Sequence, residues 1–374
     1  VRARRSLAAL AAAAAVLLPV AAAAAGARHN GDIRVFARIP APGEPSLTLV
    51  TPQHRVYVGT FEDVAGTDTS PSKVFAYDAA GRLLRTFVIR GQTANAAHGV
   101  QVAARDRDGR LYVLDQNPAR VIRLNPRTGD QRTYATFQDV PTCAMSSGSG
   151  ECSDTVMNNA PEPDYAAWLP DGSMLVTDYA QQLIWRVPPH GGAAKVWLND
   201  ARFDGELFGP AGVVLMPDHR SVLVTAATGG LTTVDPPNDV TEGRLYRIGL
   251  TRTFGAGAVR TLWVSGRTQA PDGFAVSADH RHVFIAMAGP AANCVVEVAH
   301  SGGSWRQVWQ VPTCGAASGS SPVPWDTSTS VQFLGRTILV TNQSYFTDQA
   351  SHWVVFQVTE PLLGMPIYVP RSAG

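Results

Sequence analysis

Charge is scarce in this chain and nearly cancels. Only 16% of its 374 residues are charged, with 31 Lys and Arg against 30 Asp and Glu, and no basic stripe runs through it. That excludes a nucleic-acid surface, which needs clustered cations. After the N-terminal segment no apolar run is long enough to cross a membrane. The local signatures of several enzyme classes are also missing. There is no Gly-x-Ser-x-Gly elbow, no His-Glu-x-x-His zinc motif and no phosphate-binding Gly-Lys-Ser/Thr loop. Cysteine is sparse, with four residues, and their spacing does not fit a zinc knuckle.

What is present begins with a targeting signal. Arg2, Arg4 and Arg5 precede an apolar Ala-rich stretch, Leu7 to Val20, and small residues up to Ala25. This reads as a cleaved export signal over residues 1–25, with ordinary secretion preferred to twin-arginine export. Residues 26–374 are then one secreted, extracytoplasmic domain, expected to be a monomer with no membrane contact once the signal is removed. Export suits disulfides. Three connectivities are open to four cysteines. The local pairs are preferred: Cys143 with Cys152 in one Ser/Gly-rich loop, and Cys294 with Cys314 across one hairpin.

Six times a tight polar turn is followed by an apolar run. The runs are Val56-Tyr57-Val58, Leu111-Tyr112-Val113, Met174-Leu175-Val176, Val222-Leu223-Val224, Val283-Phe284-Ile285 and Ile338-Leu339-Val340. Their spacing of 48 to 63 residues is that of one four-stranded antiparallel blade. The fold class is therefore all-β, a six-bladed β-propeller. The last repeat lacks a fourth strand, and Asp32 to Ile39 is a strand without a blade. Pairing the two closes the ring and removes its edges. The tail Met365 to Val369 competes for the same edge, and a seventh blade from these two segments is the alternative.

Long, irregular connections gather on one face, where binding sits on rigid scaffolds. Aligning the start of each innermost strand places Glu44, His98, Asp164, Ala211, Asp272 and the Ser328/Thr329 pair toward the axis on that face. Asp115, Asp178 and Asn342, at the ends of the second strands, add oxygens nearby. Converging carboxylates repel unless a cation or a proton intervenes, and Ca²⁺ suits an oxygen-rich ring. His54, His219 and His280 read as turn residues on the opposite face. The tryptophans read as packing between blades, except Trp325, which lies in a long loop and is a candidate ligand contact.

Gly43-Glu44-Pro45-Ser46, Pro210-Ala211-Gly212-Val213 and Pro271-Asp272-Gly273-Phe274 resemble the blade-opening motifs of the regucalcin/gluconolactonase (senescence-marker-protein-like) propellers. The resemblance covers most of the chain after the signal but is carried by these short motifs. It implies a divalent metal held by Glu44 and Asp272, with Asp164 at the blade-3 position. Ala211 stands where the family carries a ligating Asn, so one ligand is missing. The expected function is a Ca²⁺-dependent hydrolase of lactones or related esters, with Asp272 or His98 as the base that activates water. Asp178, Asn342 and Trp325 would contact substrate. The alternative is a non-catalytic propeller that binds a carbohydrate, peptide or protein through the same face.

Overall fold

A computed structural model describes residues 31–61, 70–93, 95–143, 151–153, 159–205, 208–228, 242–290, 292–315 and 321–371. Residues 1–25, read in sequence as an export signal, lie outside these residues. The described chain forms six antiparallel sheets of four strands each, one of them extended by a fifth. The innermost strands of blades 1 to 6 are Glu44–Val50, Val100–Arg105, Pro163–Trp168, Pro210–Leu215, Pro271–Val276 and Ser328–Leu334. The second strands carry the repeated apolar runs and are buried along their length.

Ring closure follows the expectation. Ile33–Arg38 pairs antiparallel with Val354–Thr359 and becomes the outer strand of blade 6. The C-terminal tail does not compete for that edge. It leaves blade 6 and crosses the opposite end of the channel. There Met365 N donates to Val276 O (2.8 Å), Ala278 N donates to Leu363 O (2.7 Å), and Tyr368 packs over His219. One pairing was not legible in sequence. Gly192–Ala193, in the outer turn of blade 3, adds parallel to Gln131–Thr136 of blade 2.

Six apolar clusters fill the six blade interfaces. Val74 and Val113 meet between blades 1 and 2, and Trp168, Trp185 and Tyr112 between blades 2 and 3. Ile184 and Val224 follow, then Leu245 and Val296, Phe284 and Phe356, and Phe75 and Val355. Continuous apolar second strands are what a sheet buried on both faces requires. Cys143 is bonded to Cys152 and Cys294 to Cys314, as the sequence suggested.

One irregularity recurs and positions the site. In blades 1, 3, 4, 5 and 6 the innermost strand carries one extra residue just after it starts: Pro45 faces Thr60, but Thr48 already faces Val58. The same shift follows Pro163, Pro210, Pro271 and Ser328. Proline suits the first residue of an edge strand, where no ladder N–H is needed. The bulge turns the next side chain toward the axis. Thr177 and Thr341, on the second strands, satisfy bulge backbone groups by accepting from Tyr165 N (3.0 Å) and Ser330 N (2.8 Å).

Candidate functional site

The residues delivered by these bulges line one cavity at the loop-side mouth of the channel. They are Ser46, Asp164, Ala211, Asp272 and Thr329, and blade 2 contributes Gln101. The cavity has a volume of about 230 Å³. Its walls include Phe61, Tyr179, Phe208, Tyr345 and Phe346.

The floor is tied from blade to blade. Ser46 Oγ donates to Val100 O (2.7 Å), Thr329 Oγ1 to Ser46 O (2.9 Å), and Tyr165 Oη to Thr329 O (2.7 Å). Thr225 Oγ1 donates to the backbone oxygen of Asp272 (2.6 Å), and Gln101 Nε2 donates to the Asp164 carboxylate. Gly273 is required beside this network. A Cβ there would lie 2.0 Å from Tyr165 Oη.

Asp164 and Asp272 interact electrostatically. Burial, and then the Asp272 charge, push Asp164 well above the usual carboxylate range. Burial pushes Asp272 up to about 7, against hydrogen bonds from Tyr165 and the Gly273 backbone that favour its charged form. Two acids in one water-poor site cannot both ionise cheaply. Glu162 is also raised, by burial, and bonds to Tyr179 behind the wall.

The aromatic lip is anchored separately. The Asp326 carboxylate accepts from Ser344 Oγ (2.7 Å), His352 Nδ1 (2.9 Å) and Thr347 Oγ1. That knot fixes the loop carrying Tyr345 and Phe346. Despite burial, the bonds from His352, Thr347 and Ser344 hold Asp326 below the ordinary carboxylate value.

Of the residues singled out in sequence, the fold brings Asp164, Asp272, Ala211 and Thr329 together and leaves others elsewhere. Glu44 opens its strand opposite Phe61, two residues before the axial position, which Ser46 takes. His98 lies three residues before Gln101, the residue that reaches the cavity. Its Nδ1 is 2.7 Å from Ala96 O and its Nε2 2.9 Å from Ser70 O, so backbone carbonyls occupy both nitrogens.

Asp178 is fully buried and accepts from Trp185 Nε1 (2.8 Å), Gln181 N (2.8 Å) and Glu162 N (3.0 Å). Burial raises its pKa to about 6, but it does not line the cavity. Asp115 is held by Gln92 and Arg120. Asn342 binds Asp326 N, Pro324 O and His352 O. Trp325 stacks on Phe356, with ring centroids 4.7 Å apart, inside the blade 5–6 cluster. These four side chains fasten loops to sheets, and none of them is among the residues that line the cavity.

The carboxylate trio expected for a metal is therefore not assembled. Among the described residues no group of three or more His, Cys, Asp and Glu is placed to hold an ion. The axial ring offers two carboxylates, one amide, two hydroxyls and the methyl of Ala211. This donor set does not fit the three-ligand centre that the motif resemblance implies.

No known family model matches the chain, and no curated protein matches it. Solved structures do resemble it. A luciferin-regenerating enzyme shares 12% identity at a TM-score of 0.57, over 91% of this chain and 99% of that one. Virginiamycin B lyase from Staphylococcus aureus shares 12% at 0.54, over 88% and 99%. A gluconolactonase from Xanthomonas campestris shares 13% at 0.51, over 90% and 97%. At these identities the likeness is one of fold. The chain is a six-bladed propeller. The first and third of these structures are propellers of the kind that its blade-opening motifs resemble.

Proposed function

We propose that this protein is an exported hydrolase of small lactones or related esters, with Asp164 and Asp272 as its acid–base pair. The observation that carries the proposal is the pair itself: two interacting carboxylates on the floor of an apolar-walled cavity, both pushed above the usual carboxylate range by burial. The ionised member takes a proton from water as its oxygen attacks the ester carbonyl. The protonated member donates to the carbonyl oxygen. The tetrahedral intermediate then collapses: the carboxyl that took the proton from water gives it to the leaving oxygen, the other takes back the proton it lent to the carbonyl oxygen, and an acid and an alcohol result, both on one molecule when the substrate is a lactone. Tyr165 holds Asp272 in place, and Gln101 holds Asp164. No step runs through a metal, because the donor set does not fit one. The two disulfides suit an oxidising, extracytoplasmic compartment.

The likeness to a lactonase and the blade-opening motifs support this reading, as does a cavity sized for a small molecule. A histidine-to-alanine variant of the virginiamycin B lyase is described as catalytically inactive. Here no histidine lines the cavity among the described residues, which disfavours histidine-based lyase chemistry.

The test is turnover of a panel of neutral lactones and aryl esters by the disulfide-intact protein, with and without a chelator. Hydrolysis that survives chelation is expected, and it should rise as pH passes about 7, where the pair becomes singly protonated. Chelator-sensitive hydrolysis would overturn the metal-free mechanism. No turnover of any ester would overturn the enzyme reading and leave a non-catalytic binding module.

A further inference from the structure

The cavity is acidic below and aromatic above, and no Lys, Arg or His stands among its described lining residues. The aromatic part is one connected set of rings. Tyr179 and Phe208 lie with centroids 5.2 Å apart, Phe208 and Tyr345 6.4 Å, Phe61 and Tyr345 5.8 Å, and Tyr345 and Phe346 5.2 Å. These rings come from the end of the second strand of blade 1, from loops of blades 3 and 6, and from the approach to blade 4. The collar is thus assembled by the ring of blades and belongs to no single repeat.

Aromatic faces attract large, weakly hydrated cations. They do not suit a small divalent ion, which keeps its water unless six or more oxygens replace it. A purely neutral ligand would fill the collar but offer no charge to the ionised member of the acidic pair below it. A compact ammonium group satisfies both parts. It is apolar in shape, it lies well against rings, and its charge offsets that of the floor. A cavity of about 230 Å³ lies below the roughly 300–1,000 Å³ usual for drug-sized ligands, so the cation must be small.

We infer that the substrate class is esters or lactones bearing a compact ammonium group. The ammonium sits in the collar of Phe61, Tyr179, Phe208 and Tyr345, and the carbonyl faces Asp164 and Asp272. The carbonyl half of this assignment rests on the hydrolase reading above. The cation half stands on the collar and on the acidic floor with no cationic side chain among the described lining residues.

Choline and its neutral isostere 3,3-dimethylbutan-1-ol, titrated against the wild-type protein by calorimetry, separate charge from shape. Choline should bind roughly tenfold or more tightly. Acetylcholine should be hydrolysed with a kcat/KM higher than that of 3,3-dimethylbutyl acetate by a similar factor, carried mainly by KM. Tyr345→Leu should cut the choline preference several-fold, with circular dichroism unchanged. Equal or tighter binding of the isostere, or no binding of either probe, overturns the inference. Hydrolysis of neutral lactones without ammonium preference also sinks it, and leaves the hydrolase reading intact. Ammonium preference without turnover of any ester upholds the cation site and sinks the hydrolase reading.

Discussion

The two mouths of the channel are made by the same innermost strands, yet their acids behave in opposite ways. On the turn side, Asp78, Asp171 and Asp279 accept hydrogen bonds from groups two to four residues on: Arg82 N, Ser173 N and Arg281 N. Those local bonds hold all three below the usual carboxylate range, against burial at Asp171 and Asp279. His54, His219 and His280 occupy the turns after the innermost strands of blades 1, 4 and 5 with positive φ (56°, 53° and 59°), as turn residues should. The C-terminal tail then covers this end. On the loop side, Asp164 and Asp272 sit in bulges with few donors and each other for company, and both are raised. An acid with local donors stabilises a turn. An acid deprived of them is kept ready to exchange a proton.

The largest effect should come from neutralising one end and sparing the other. Asp272→Asn and Asp164→Asn should each lower kcat/KM on the best ester by about 10²–10³-fold, while Asp171→Asn leaves it within twofold. Equal losses at both ends would break the contrast.

Deleting the tail from Leu362 onward comes next. Leu362, Met365 and Tyr368 pack on three different clusters. Their loss should cost roughly 2–4 kcal/mol in urea unfolding and leave kcat/KM of the folded protein nearly unchanged.

The pH dependence of stability should differ in sign between the two ends. Asp272 has a folded value of about 7 against 3.8 for an unperturbed group, so the folded state binds more protons between about pH 4 and 7. Its contribution to stability therefore falls as pH rises through that window. Asp272→Asn should stabilise the protein at pH 8 by on the order of 2 kcal/mol, with no gain near pH 4. Asp171 is depressed, so its contribution is present above the unfolded value and is lost as pH falls below it. Asp171→Asn should cost under about 1 kcal/mol at pH 7, and the difference should vanish in acid. Thermal melts across pH check both.

Two glycines sharpen the comparison at the smallest scale. Gly273→Ala should displace the Tyr165 phenol and lower activity roughly tenfold. Gly109, with φ of 82° and open space around it, should cost about 1 kcal/mol of stability as alanine, with activity retained.

The blade count, the closing strand, the disulfide pairs and the turn histidines were all legible in sequence, because each depends on local chemistry repeated at a steady interval. Four of the six axial positions were legible as well, Thr329 among them. Asp164, Ala211 and Asp272 each follow a proline that opens the strand. The same rule applied to Pro45 selects Ser46, which the Gly-Glu-Pro motif concealed by drawing attention to Glu44. Blade 2 has no such proline, and its bulge lies further along, between Val102 and Ala104. Gln101 therefore gave no signal, and His98 was favoured for its chemistry alone. The aromatic collar was not legible either, since its rings are scattered over one strand end and several loops with no common spacing.

Sequence by itself determined a propeller of six repeats and the presence of acids near the start of two innermost strands. Periodicity survives in one dimension, because each blade must bury the same kind of strand. Which side chains face the axis was decided only in three dimensions. A bulge of one residue turns a side chain toward or away from the cavity, and its place depends on hydrogen-bond register with the neighbouring strand. The upward pKa shifts of Asp164 and Asp272 were decided there too. They come from burial and, at Asp164, also from the Asp272 charge, and the two residues meet only when the ring closes.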